Sequence, residues 1–285
     1  MFEKPDFNLL QILEERIPLI GDGGTDALLG SYGLSDKNPS ILANLDHPEL
    51  VKRMHHSFLR KGTRLLRTNS IFPKEEQGCS IENRLEAIMN SASTLAREAS
   101  NNKAVVAGRI TGALETWTDD AKKQHYGEQA VYLSDTKVDL IWLERFSNLD
   151  ELLLALRAIR QVSLVQTVAH LSFEPDRTSQ EKIEELKHLM NSGATFVGVT
   201  IQSIESLKYG PIQELIDEVG VLSLILDFVL EQNQSPYLKE IVNKFDPLKD
   251  VLELLKRSLL EKPSFKLREG GFIAEDVSKE LDEPS

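Results

Sequence analysis

The chain has 285 residues, a formal net charge of -12 and 41% hydrophobic residues. That is enough apolar material for a sizeable core, in one large domain or two ordinary ones, and it excludes wholesale disorder. The acidic balance argues against nonspecific nucleic-acid binding, which depends on Lys and Arg neutralising phosphates, so no nucleic-acid partner is expected.

The one cysteine, Cys79, excludes an internal disulfide framework. The longest apolar run, residues 219–230, is interrupted by Asp227 and falls short of the ~20 residues a membrane helix needs. Residues 1–8 carry Glu3 and Asp6 and lack the cationic start and apolar stretch of a secretory signal. A soluble cytoplasmic protein is the expectation.

In chain order, residues 17–20 form a short apolar run ended by Gly21-Asp22-Gly23-Gly24, which predicts a strand and a turn. Pro48 marks a helix start behind Asp46 as N-cap, with Leu50, Met54, Phe58 and Leu59 at helical spacing and Gly62 as its stop. Leu65 and Leu66 lead into Thr68-Asn69-Ser70, a second strand ending in small polar residues. The same grammar then repeats. Helices are predicted over 82–98, 124–135, 149–159 and 181–190. Strands are predicted over 104–107 (closed by Gly108), 138–143 (running into Glu144), 164–171 and 196–199.

Near-continuous apolar strands separated by helices imply a parallel sheet buried on both faces, wound either as an open doubly wound sheet or as a closed barrel. In both, function collects at strand C-termini, where the polar residues are Asp22, Asn69 and Glu144. Each also has a purely structural reading. Asp22 can steady a glycine turn, Asn69 can cap a loop and Glu144 can cap the next helix. Three polar ends on successive strands favour a site. His55 and His56 are adjacent on a helix, so they point to different faces and make no chelating pair.

Three segments resemble the homocysteine-binding domain of homocysteine S-methyltransferases and cobalamin-dependent methionine synthases. They are GDGGTDALL at 21–29, HPELVKRMHHSFLRKGTRLLRTNSI at 47–71 and VDLIWLERFSNLDELLLALRAIRQV at 138–162. The match is nearest to bacterial bifunctional proteins that join this domain to a methylenetetrahydrofolate reductase. The resemblance covers residues 17–200. It implies a TIM-type barrel in which zinc, held by three cysteine thiolates, binds the substrate sulfur. A free thiol with a pKa near ~8.5 is mostly protonated at neutral pH, and zinc would strip that proton. The resemblance also assigns Asp22, Asn69 and Glu144 to the amino and carboxylate groups of a homocysteine-like substrate.

The departures fall on the chemistry. Ile201 occupies the position of the first zinc cysteine, after Gly198-Val199-Thr200, and no adjacent cysteine pair follows. Zinc is therefore expected from the family while its ligands are missing, and no metal residue is assigned. Arg145 follows Glu144 where a threonine is usual, and Arg109 follows Gly108 where a small residue is usual. The opening glycine turn is one residue shorter than the family's. A large cation in either loop would fill the substrate mouth.

After Thr200 the alternation stops. Helices are predicted over 212–232, 236 onward and 248–260, then a hairpin at Phe265-Lys266-Leu267-Arg268, Glu269-Gly270-Gly271 and Phe272-Ile273. Residues 246–283 resemble part of the MutS mismatch-repair core domain, without its phosphate loop. The expected architecture is thus α/β, an incomplete TIM-type barrel of about six parallel βα units over 1–204, followed by a helical segment with a short hairpin over 205–285.

The expected function is that of a homocysteine S-methyltransferase-like protein, impaired because the zinc cysteines are absent. The alternatives are a non-catalytic scaffold, with a protein partner on the C-terminal helices, or a MutS-related DNA-binding fragment.

Overall fold

The structure, a computed structural model, describes residues 21–34, 39–72, 82–146, 148–172 and 179–201, with the strand segments 224–228, 265–267 and 272–274. Helix α1 (Thr25–Ser31), a 3-10 turn at Ser40–Leu42, α2 (Ala43–Asp46) and α3 (Pro48–Arg60) precede β1 (Leu65–Arg67). Then α4 (Leu85–Ser100), β2 (Val105–Thr111), α5 (Asp119–Asp135), β3 (Leu140–Glu144), α6 (Leu149–Val162), β4 (Gln166–Ser172), α7 (Ser179–Asn191) and β5 (Phe196–Ile201) alternate. Three more strands are β6 (Leu224–Phe228), β7 (Phe265–Leu267) and β8 (Phe272–Ala274). Among the described residues no helix is long and apolar enough to cross a membrane.

The helices begin where the residue chemistry says they should. Thr118 accepts from the Ala121 N–H at 3.3 Å and Asn148 from the Glu151 N–H at 2.9 Å, each satisfying a free donor of the first turn. Pro48 opens α3 at N1, but its N-cap is His47 and not the expected Asp46, which ends α2. Gly62 follows α3 at φ 98°, a conformation that costs a residue with a Cβ.

Strands β1 to β6 form one parallel sheet in that order, and Gly21 bridges to Leu65 beyond β1. The order runs without reversal, so the described strands are singly wound. β7 and β8 pair antiparallel, as the hairpin expectation required.

Both sheet faces are buried, as the near-continuous apolar strands imply. Val106, Ile110, Ile141, Leu143, Ala169, Leu171 and Val197 pack against helix residues such as Ile88, Leu133, Leu152 and Leu186. On the alternate positions, Leu65, Val105, Ala107, Leu140, Trp142, Val168 and Phe196 form a separate cluster. Toward the C-terminal ends, that second face changes from apolar to charged.

Two expectations are corrected. Residues 212–232 do not form one helix: Leu224–Phe228 is strand β6, paired in parallel with β5 through Val197↔Leu224 to Ile201↔Phe228. A run apolar on every side fits a strand buried on both faces as well as it fits a buried helix, so periodicity could not separate them. The sheet therefore continues past residue 204. The helices expected from 236 onward and over 248–260 lie outside the described residues, as does the first strand over 17–20.

The second correction concerns Gly108. It does not close its strand, and β2 runs through it to Thr111. A Cβ at Gly108 would stand 2.5 Å from Leu133 Cδ2 and 2.8 Å from Cδ1, so the glycine exists to let α5 lie close to the sheet. Gly108→Ala is expected to destabilise the fold by about 1–3 kcal/mol through overpacking around the fully buried Leu133. A urea midpoint unchanged from the parent would show that Leu133 has room to move.

Candidate functional site

The charged end of that second sheet face gathers residues far apart in sequence. Asp22 leaves the Gly21 bridge and is anchored by its own N–H, which donates to the Leu65 carbonyl at 3.0 Å. Its carboxylate accepts from the Arg67 N–H at 2.8 Å and from Arg67 Nε at 3.0 Å, while Arg67 Nη2 donates to the Asp22 carbonyl at 2.6 Å. Arg67 Nη1 then reaches Glu144 Oε2 at 3.1 Å, at the end of β3. From β2, Arg109 Nε donates to Glu144 Oε1 at 2.7 Å and Arg109 Nη1 to Thr25 Oγ1 at 3.3 Å. The guanidinium of Arg67 also lies 5.4 Å from the Trp142 ring centroid.

All four charged residues are buried, with Asp22 at 1%, Arg67 at 5%, Arg109 at 4% and Glu144 at 6% exposure. Isolated charges at that depth are prohibitive, and they persist because the two carboxylates and two guanidiniums balance. At Asp22 burial lifts the carboxyl above its ordinary value, with Arg67 and then Arg109 pulling the other way. Burial also pushes upward at Glu144, but Arg109, Arg67, Arg145 and His170 together outweigh it and hold the carboxyl at about 2. At Arg109 burial lowers the guanidinium pKa, opposed chiefly by Glu144. A guanidinium starts high enough to stay charged all the same.

The structure thus joins Asp22 and Glu144 through a single guanidinium. Asn69 it uses differently. The Asn69 Nδ2 donates to the Ser40 carbonyl at 2.8 Å, and the Asn69 carbonyl accepts from Asn44 Nδ2 at 2.7 Å. This side chain ties the 39–46 segment to the end of β1.

Of the two cations singled out, Arg109 is buried in this network at the end of the sheet. Arg145 is exposed and takes a left-handed φ of 59°, and the turn is tight enough that a Cβ on Gly112 would lie 3.0 Å from the Arg145 carbonyl. Sequence reasoning missed Arg67. Its one signal was a charge on the same strand face as Leu65, just before Thr68-Asn69-Ser70. His55 is wholly buried while His56 is exposed, as their adjacency required. Burial first, then His56 and Arg109, push the His55 imidazole down to about 3, so it is neutral.

The zinc cage that the resemblance implies does not fit these residues. β5 ends at Ile201, where the first thiolate would stand, and Cys79 lies outside the described residues. Among the described residues no three His, Cys, Asp or Glu side chains gather as a metal site. The Asp22 and Glu144 carboxylates are already paired to guanidiniums, whose charge repels a divalent cation.

A sequence model of the family described as homocysteine S-methyltransferase matches residues 19–236. An S-methylmethionine–homocysteine S-methyltransferase from Pongo abelii is 28% identical over 216 residues, covering 71% of this chain and 59% of that protein. Betaine–homocysteine S-methyltransferase 1 from Danio rerio is 28% identical over 192 residues, covering 64% of this chain and 48% of that protein. The chain thus spans about half the length of these curated relatives.

The metallated form of the homocysteine methyltransferase MmuM from Escherichia coli superposes with a TM-score of 0.65 at 18% identity, over 81% of this chain and 91% of that one. At that identity the likeness concerns the fold. A separate, short match of 55 residues, 42% identical, is to the DNA mismatch repair protein MutS of Alkaliphilus oremlandii, covering 19% of this chain and 6% of that protein.

Proposed function

The chain belongs to the homocysteine S-methyltransferase family, and from that premise we propose that it binds a homocysteine-type thiol amino acid at the C-terminal ends of its strands. Methyl transfer to the sulfur is its reaction class, with a low capacity for it. The observation that carries the reading is the convergence of Asp22 and Glu144 on one cationic group, 3.0 and 3.1 Å away. Carboxylates that already hold cationic side chains at this sheet end are suited to accept from the ammonium of an amino acid. The low capacity follows from the sulfur chemistry. With no thiolate cage, a bound thiol keeps its ordinary pKa near ~8.5 and is mostly protonated at neutral pH.

The unreversed strand order and the match through residue 236 support a closed barrel as the finer architecture. They also support placing the domain division, first set at 204/205, beyond β6. Asn69 enters the proposed site as the residue that shapes its rim. The paired, self-neutralised charges favour a second reading, a non-catalytic protein that binds the amino acid without turning it over.

Calorimetric titration of homocysteine or methionine should give saturable heat, and Glu144→Gln should weaken it by at least ~10-fold, about 1.4 kcal/mol. Heat that ignores Glu144→Gln would remove the ammonium site. Methyl transfer is tested with labelled S-methylmethionine and betaine as donors. Rapid turnover by protein holding one zinc per chain would overturn the low capacity.

A further inference from the structure

All four carboxylate oxygens of the proposed ammonium site are already occupied. Asp22 Oδ1 and Oδ2 accept from Arg67, Glu144 Oε2 accepts from Arg67, and Glu144 Oε1 accepts from Arg109. With Asp22, Arg67, Arg109 and Glu144 all at 6% exposure or less, an incoming ammonium reaches a carboxylate oxygen only where a guanidinium gives way. The two candidates are held very differently.

Arg67 bonds to the Asp22 carboxylate through Nε and its own N–H, to the Asp22 carbonyl and to Glu144, and it lies over Trp142. The side chain of Arg109 rests on Glu144 and the longer 3.3 Å contact to the Thr25 hydroxyl. Its backbone is pinned, since the Arg109 N–H donates to Thr68 Oγ1 at 3.0 Å and its carbonyl accepts from Ser70 Oγ at 2.8 Å. The side chain can therefore leave Glu144 while β2 stays in place.

We propose that Arg109 is an internal competitor for the ligand's ammonium group, so that an amino acid binds by taking Glu144 from it. This residue then sets the charge selectivity of the site and rests on the reading of the preceding subsection. While Arg109 stays, an ammonium on the ligand brings little advantage, because it exchanges one cation on Glu144 for another. When Arg109 is replaced by a neutral residue, one carboxylate oxygen is released and the site carries one less positive charge. A ligand bearing an ammonium then gains over the same ligand without it.

The test compares homocysteine with 4-mercaptobutanoate, its counterpart lacking the amino group, by titration calorimetry on the parent, Arg109→Ala, Arg109→Gln and Arg109→Lys. Arg109→Gln keeps most of the side-chain volume and carries the test if Arg109→Ala fails to fold, which circular dichroism checks. The expected result is a preference for homocysteine that rises at least ~10-fold in the neutral variants, while Arg109→Lys, still cationic, stays near the parent ratio.

An unchanged ratio in both neutral variants, with Glu144→Gln still weakening homocysteine binding, would overturn the competitor and leave the ammonium site standing. A fallen ratio would make Arg109 a direct ligand contact and overturn the competitor as well. Absence of homocysteine binding in the parent and in every Arg109 variant would remove the site and this inference together.

Discussion

Arg67→Met is expected to lower the free energy of unfolding by about 3–5 kcal/mol, the cost of breaking a buried ion pair by removing one partner. Among the described residues Arg67 is the one that pairs with both Asp22 and Glu144, and its loss leaves Asp22 without its charged partner. Arg109 would remain as the guanidinium paired with Glu144. Methionine keeps much of the volume, so the loss reports charge and hydrogen bonding more than a cavity. Urea unfolding at neutral pH measures it, and a loss below about 1 kcal/mol would mean that the quartet is not intact in solution. Adding Asp22→Asn should recover part of the loss, because the orphaned charge goes with it.

Acidification should unfold the protein through Glu144. Its folded carboxyl sits at about 2 against an ordinary 4.5, so it contributes stability that is complete above pH 4.5 and disappears as the pH falls toward 2. At 1.36 kcal/mol per unit the contribution is about 3 kcal/mol. Asp22 acts in the opposite sense. Its folded pKa is raised above 3.8, so its contribution is present below that value and is lost as the pH rises through the raised one.

Unfolding midpoints followed from pH 6 to pH 3 should therefore fall for the parent. They should fall more steeply in Asp22→Asn, where the opposing group is gone, and more gently in Glu144→Gln. Parallel curves for the parent and Glu144→Gln would show that Glu144 does not titrate with the fold.

Asp22 and Glu144 were legible in the sequence because each is a lone acid where an apolar run stops. Arg67 was not, although it sits in the same network. A charge directly after Leu65-Leu66 reads as the exit of a strand, and the carboxylates that make its burial tolerable are 45 and 77 positions away. Asn69 was legible as a polar strand end, but the partner its side chain takes, the Ser40 carbonyl, depends on how the 39–46 segment folds back over β1. Gly108 read as a stop because glycine usually punctuates. Its true reason is Leu133, on a helix that periodicity cannot bring to it.

From the sequence alone came the alternation of buried strands and helices from β1 to β5, the hairpin and the acids at the strand ends. Those features follow from local preference and from the side-chain period. The tertiary structure alone decided the unreversed strand order, the pairing of Leu224–Phe228 with β5 and the capture of both acids by Arg67 and Arg109. These are long-range choices, because a buried charge or an all-round apolar segment has no defined state until its partners across the sheet are in place.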